Sequence, residues 1–258
     1  MPDLSPLAIL ALAAVAFTAG VVDAIAGGGG LLTVPALLAA GLPPHLALGT
    51  NKGQAVFGSF AAMVKFARSG LVEPSRARLG FPLGFLGSLA GAALVLRIPP
   101  ASLEPVVLAL LAAAALFIGL RRGKPEARAA AGLPPRRHGG SLAAGVVALT
   151  IGAYDGFFGP GTGTFLIVAA VAFLGDGLAQ ASAGAKVVNF ASNLAALALF
   201  AVRGVVAWQV SLPMAVGQLC GGWLGAHLAV RRGDRLVRAV TVATTLALAA
   251  KLAWDLKG

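Results

Sequence analysis

Long apolar runs alternate with short polar interruptions along this chain. No Asp, Glu, Lys or Arg falls within 4–22, 24–51, 79–96, 156–175 or 204–230. Each run approaches or exceeds the roughly 20 residues a helix needs to cross hydrocarbon. Dividing the runs at Gly, Pro and charged positions predicts five segments at 4–22, 28–41, 45–68, 79–97 and 102–120. Five more follow at 141–155, 162–175, 178–202, 206–230 and 235–254. The fold class is an all-α polytopic membrane protein.

The two sets of five are related. Asp23 precedes a glycine tract in DAIAGGGGLLTVPALL and Asp155 another in DGFFGPGTGTFLIV, 132 residues apart. Lys52 and Lys186 are 134 apart, as are Gly70 and Gly204, Gly87 and Gly221, Gly91 and Gly225, and Arg97 and Arg231. One two-residue insertion between tract and lysine brings the halves into register, which defines an internal repeat. The predicted units are a first membrane repeat at 1–121, a linker at 122–140 and a second membrane repeat at 141–258.

Charge orients the halves. Between the halves lies RRGKPEARAAAGLPPRRHGG, and a segment so rich in Arg belongs on the cytoplasmic side. Five is odd, so a cytoplasmic linker makes the halves enter the membrane in opposite senses, with both termini outside. Corresponding loops agree. After the third segment the first half carries Lys65, Arg68, Arg76 and Arg78 and the second only Arg203. After the fourth, Arg97 stands alone, against Arg231, Arg232, Arg235 and Arg238. The expected architecture is an inverted-topology repeat of 5+5 segments, which transporters use.

Composition narrows the class further. Hydrophobic residues make up 58% of the chain and charged residues 11%, against roughly 25% charged in soluble domains. The net charge of +11 lies in inter-segment loops, without the aromatic-interleaved basic face of a nucleic-acid binder. An acid and no basic residue near the start make the first run read as a retained helix rather than a cleaved signal. Cys220 is the only cysteine. It excludes an internal disulfide and reads as a small buried apolar residue.

The second segment of each half is short and opens in glycine, at Gly27, Gly28, Gly29 and Gly30, and at Gly159, Pro160, Gly161, Thr162 and Gly163. Glycine there disfavours a regular helix and predicts a bend. A half-helix starting after the bend would aim free N–H groups at a cavity, and two brought together would form an anion site. The other reading is that these glycines serve close helix packing.

Lys52 and Lys186 lie inside apolar segments, where a charge costs about 2.5–3.5 kcal/mol by insertion scales. Thr50, Asn51 and Gln54 flank one; Asn189, Ser192 and Asn193 follow the other on a shared helical face. A Lys and Asn stripe suits an oxyanion path. Alternatively each lysine is the structural partner of Asp23 or Asp155, and the two roles are compatible. Asp23 and Asp155 could each carry a coupling proton, pair with a lysine or cap the broken helix. Tyr154, Thr162 and Thr164 add donors. His45, His138 and His227 lack metal-ligand spacing; His45 reads as an exposed helix start. Trp208 and Trp254 read as interfacial anchors.

These tracts resemble the paired signatures of the TauE/SafE sulfite-exporter family of membrane permeases. The resemblance is most specific at 23–54 and 154–193. It implies a bacterial plasma-membrane permease for sulfite, sulfoacetate and related sulfur-containing anions. The family's glycine tracts map to Gly27–Gly30 and Gly159–Gly163, and its Asn-Lys and Lys-x-x-Asn elements to Asn51, Lys52, Lys186 and Asn189. Gly53 and Gly184 depart from common family residues, the second where many relatives are polar.

The leading functional expectation is a secondary transporter, with export as the family's direction. Its partners are a small anion and the lipid bilayer, not nucleic acid, with room for a coupling proton or sodium and for a homo-oligomer. No P-loop occurs and no cofactor or metal is called for. An intramembrane hydrolase would want G-x-S-x-G, which GSLAG around Ser88 does not match. A cation channel could use Asp23 and Asp155, but paired lysines would repel its cargo.

Overall fold

The computed structural model describes residues 4–120 and 140–255. Among these residues every regular element is a helix. The first half contains α1 (Pro6–Ala26), α2 (Gly30–Ala39), α3 (Pro44–Arg68), α4 (Pro74–Val95) and α5 (Pro100–Leu120). The second contains α6 (Ser141–Phe157), α7 (Thr162–Ala169) continued by a π-helical turn (Ala170–Leu174), α8 (Leu178–Val202) and α9 (Trp208–Asp255). Gly233, at φ 60° and ψ −154°, breaks α9 into two arms where the sequence predicts two segments. By length and composition α1, α4 and α8 are apolar enough to cross a membrane. Gly30–Ala39, Pro100–Ala114, Ser141–Phe157 and Thr162–Leu174 are shorter apolar helices.

Local chemistry sets the ends. Proline occupies the first turns of α1, α3 and α4, where its missing N–H costs nothing. Ser5 caps α1 by accepting from the Ala8 N–H at 3.3 Å. Lys65 and Arg68 sit in the last turn of α3, where cations complement the helix dipole. At the start of α8 the Ala179 N–H donates to the Asp234 carboxylate at 2.8 Å.

The halves interlock. Gly217, Gly221 and Gly225 of α9 press on the backbone of Ala13, Phe17 and Val21 of α1. The same seam recurs where Gly87 and Gly91 of α4 press on Leu149 and Ala153 of α6. Gly221 and Gly225 stand 134 residues after Gly87 and Gly91, and Leu149 and Ala153 stand 132 after Phe17 and Val21. A Cβ at any of these glycines would overlap neighbouring main chain, so small residues here let the backbones approach. Contacts advance together along both helices of each pair, so α1 runs parallel to the first arm of α9 and α6 parallel to α4. Along α3, Gly49, Gly53 and Gly58 meet Val205, Ser211 and Gln218 in order, making α3 parallel to the same arm. The basic C-terminal end of α3 therefore shares one end of the bundle with Arg231 and Arg232.

Two apolar clusters flank a polar centre. Along α3, Ala47 belongs to a cluster with Leu37, Leu42, Val210 and Met214. Phe66 belongs to another with Leu174, Leu178 and Val237. Between them run the buried Thr50, Asn51, Lys52, Gln54 and Ser59.

Two expectations are corrected. Cys220 is exposed, not buried, on an α9 face shared with the exposed Leu212, Val216 and Leu219. In an apolar bundle the outer face is as apolar as the core, so an apolar residue carries no burial signal. His45 is half-buried, its Nε2 lying 3.2 Å from the Val95 carbonyl oxygen at the end of α4, where helix carbonyls lack internal partners. The linker at 122–139 with His138, and the Trp254 side chain, lie outside the described residues.

Candidate functional site

Both glycine tracts leave the helical path. α1 ends at Gly27 in the left-handed region, φ 81°. α7 begins after Gly159 and Gly161, at φ 100° and 84°. The tracts cross with the backbones of Gly27 and Gly163 in contact, where no Cβ fits. Free carbonyls at the end of α1 are satisfied from the other half: Ser182 Oγ donates to Ile25 O at 2.9 Å and Thr164 Oγ1 to Ala26 O at 2.9 Å. The Thr164 N–H donates to Gly27 O at 3.0 Å. Buried backbone groups are thus paired across the repeat boundary. Tyr154 donates to Pro160 O, and the Thr162 hydroxyl to Gly159 O, both at 2.7 Å, which stiffens the second tract.

The lysines also pair across that boundary. Lys52 Nζ lies 2.8 Å from Asp155 Oδ1 and Lys186 Nζ 2.7 Å from Asp23 Oδ2. Both lysines are nearly fully buried. The pairs differ in their further partners. Ser192 donates to Asp155 Oδ2, and Lys52 donates to Asn193 Oδ1 at 3.0 Å, so that carboxylate is sealed in the interior. Asp23 keeps 23% side-chain exposure and accepts from the Gly29 N–H at 3.3 Å. Asp23 therefore both pairs with lysine and caps the entry to α2.

A polar cavity of about 30 Å³ opens between these groups. Of the sequence-predicted residues, Gly30, Asn51, Lys52, Gln54, Gly163, Asn189 and Asn193 line it, with Asp23 and Asp155. Gly28, Gly29, Gly161, Thr162 and Lys186 do not line it. Lys186 stands one contact away, through Asp23, with Asn189 Oδ1 at 3.4 Å. Most first-turn N–H groups of α2 and α7 are taken by protein carbonyls. Those of Gly30 and Gly163 have no partner among the described residues, and both residues line the cavity. Sequence reasoning missed Gln218, a buried α9 residue in the cavity wall. Its only signal was an amide inside the uncharged run 204–230.

Broken helices meeting at buried, cross-paired charges inside an apolar helical bundle are the construction of a membrane transport protein. The family described as Sulfite exporter TauE/SafE matches residues 12–252. The chain belongs to that family. It is 39% identical to the probable membrane transporter protein YfcA of Escherichia coli (strain K12) over 256 residues, covering 98% of this chain and 93% of the relative. It is 37% identical to the probable membrane transporter protein ORF9 of Sinorhizobium sp over 259 residues, covering 99% and 96%. A probable membrane transporter protein of Haemophilus influenzae is 40% identical over 243 residues, covering 93% and 92%. No solved structure matches the chain.

Proposed function

We propose that this protein is a secondary transporter, acting as an exporter, of small sulfur-containing anions such as sulfite or organosulfonates across the bacterial plasma membrane. The observation that carries the reading is the convergence of the unpartnered Gly30 and Gly163 N–H groups with the Lys52 ammonium and three asparagine amides on one buried cavity. The Asp23 and Asp155 carboxylates in that wall are already paired with lysine, which leaves these donors. They suit a group that is all acceptor, as a sulfonate or sulfite is.

The parallel course of α3 and the first arm of α9 supports the inverted 5+5 repeat, because the third segment of one half then runs with the fourth of the other. It also gathers Lys65, Arg68, Arg231 and Arg232 at one end, the cytoplasmic end with the linker by the positive-inside rule. Both termini then face outward.

Each lysine is neutralised by a carboxylate, so cargo competes with that carboxylate for the same ammonium. Asp23 is the one that yields: it is the more exposed and is not fastened by a serine hydroxyl as Asp155 is. The cavity has room for about two waters. Loading therefore requires the halves to rock apart, opening one flanking apolar cluster at a time.

Flux of sulfite into proteoliposomes tests the reading. Lys52→Ala with Lys186→Ala should abolish it, and Lys186→Ala with Asp23→Ala, which removes a whole ion pair, should reduce it at least about tenfold. Sulfite flux that survives both would sink the proposed site.

A further inference from the structure

The polar centre is not symmetric, although the repeat around it is. Gln54 donates through Nε2 to Asn51 Oδ1 at 2.9 Å, and Asn51 Oδ1 also accepts from Thr33 Oγ1 at 2.6 Å. This leaves Gln54 Oε1 buried with no hydrogen-bond donor. Gln218, 3% exposed, rests its Oε1 against Gly20 and Gly58, and Gly58 lies one turn beyond Gln54 on α3. Its amide makes no hydrogen bond among the described residues. Both glutamines line the same cavity. The repeat-related positions are Val188 and Gly84, where the valine side chain fills the notch left by the glycine. Packing alone is therefore served by an apolar pair. In its place the Gln54 Oε1, buried without a donor, incurs a desolvation penalty that only a polar partner removes.

Resting on the proposed transport of a small anion, we infer that Gln54 and Gln218 form a second subsite that reads a hydroxyl on the cargo, so that the substrate is a hydroxyl-bearing organic anion. A hydroxyl donates to Gln54 Oε1 and accepts from the Gln218 N–H in one contact. Fully ionised sulfite is acceptor-only and leaves Gln54 Oε1 unpaired. An ammonium would donate, but it would sit among two lysines whose aspartates are already engaged. The charged end of the cargo lies toward Lys52, Gly30 and Gly163, and its hydroxyl toward α9. A site that hydrogen-bonds a hydroxyl discriminates strongly against the analogue lacking one.

The test is calorimetric binding to the purified full-length protein in nanodiscs, with sulfite, ethanesulfonate and 2-hydroxyethanesulfonate as probes. The wild-type protein should bind 2-hydroxyethanesulfonate at least about tenfold more tightly than ethanesulfonate. In Gln218→Met and Gln54→Met that ratio should collapse to within about twofold. Binding of sulfite or ethanesulfonate with no preference for the hydroxyl in the wild type overturns the subsite and leaves the transport reading standing. A preference that persists in both variants overturns the assignment to these glutamines. Binding of none of the three overturns the transport reading, and the subsite with it. The wild-type comparison needs no variant, so it stands even if a methionine variant fails to fold.

Discussion

Lys52 and Lys186 occupy matching places in the two halves, yet their removal leaves different debts. Truncating Lys52 strands Asp155, a carboxylate whose side chain is 3% exposed and whose remaining donor is Ser192. Losing one member of such a buried pair costs about 3–5 kcal/mol. Lys52→Ala should therefore lower the thermal midpoint in detergent by on the order of 10 °C. Lys186→Ala leaves Asp23 partly exposed and capped onto Gly29, so its drop should be smaller. Adding Asp155→Asn to Lys52→Ala should recover part of the loss; no recovery would mean the lysine stabilises by other contacts. The charges were legible in the sequence because a lysine among apolar residues stands out. Their partners were not. Each half contributes one Lys and one Asp, and pairing within a half or across halves leaves the same linear pattern. Gln218 was less legible still, since one neutral amide barely alters the apolar character of its run.

At the scale of elements, the broken helices were legible from glycine density, but which glycines are structural was not. Gly27 combines φ 81° with the main chain of Gly163 and Thr164 where a Cβ would go. Gly28 has nothing nearer than Val22 Cγ1 at 3.9 Å. Gly27→Ala should destabilise by roughly 3 kcal/mol or more, whereas Gly28→Ala should leave the melting temperature unchanged within error. Equal effects would contradict the crossing. The loop between α7 and α8 carries a second device. Arg76 at the start of α4 contacts Asp176 at 2.6 Å and Glu73 at 2.7 Å, at the mouth of an apolar pocket reaching Ala148. Burial pushes the Asp176 carboxyl above its ordinary range, against the lowering effect of Arg76. Arg76 donates to that carboxylate. Acid protonates it sooner than a solvated aspartate, so the latch is lost as pH falls through that raised value. In a Cys220→Ser background, Ala148→Cys should be alkylated several-fold faster when Arg76→Ala is added. That ratio should shrink toward one in acid. A ratio independent of pH would remove Asp176 from the latch.

At the scale of the molecule, the matched spacing of glycines and lysines and the opposed loop charges were readable, because both are statements about spacing and sign, and the inverted repeat they point to is the proposal tested below. The interlocking was not, because a glycine seam looks the same whichever helix it meets. Orientation has a direct measurement. With Cys220→Ser, a membrane-impermeant thiol reagent applied to intact cells should label Arg203→Cys and leave Ser75→Cys unlabelled until the membrane is opened. Labelling both from one side would end the inverted reading and leave the repeat itself intact.

The glycine seams carry a consequence for how such a chain could have arisen. Each half lends its first helix to the fourth helix of the other, and the first half satisfies its broken-helix carbonyls with hydroxyls of the second, so neither half has a complete interior of its own. On the proposed inverted topology, a five-segment ancestor encoded once would have needed a second copy inserted upside down, a dual-topology dimer. Fusing two such genes would have freed each copy to fix its own loop charges, and then to let one side of the shared centre become amide while the other stayed apolar.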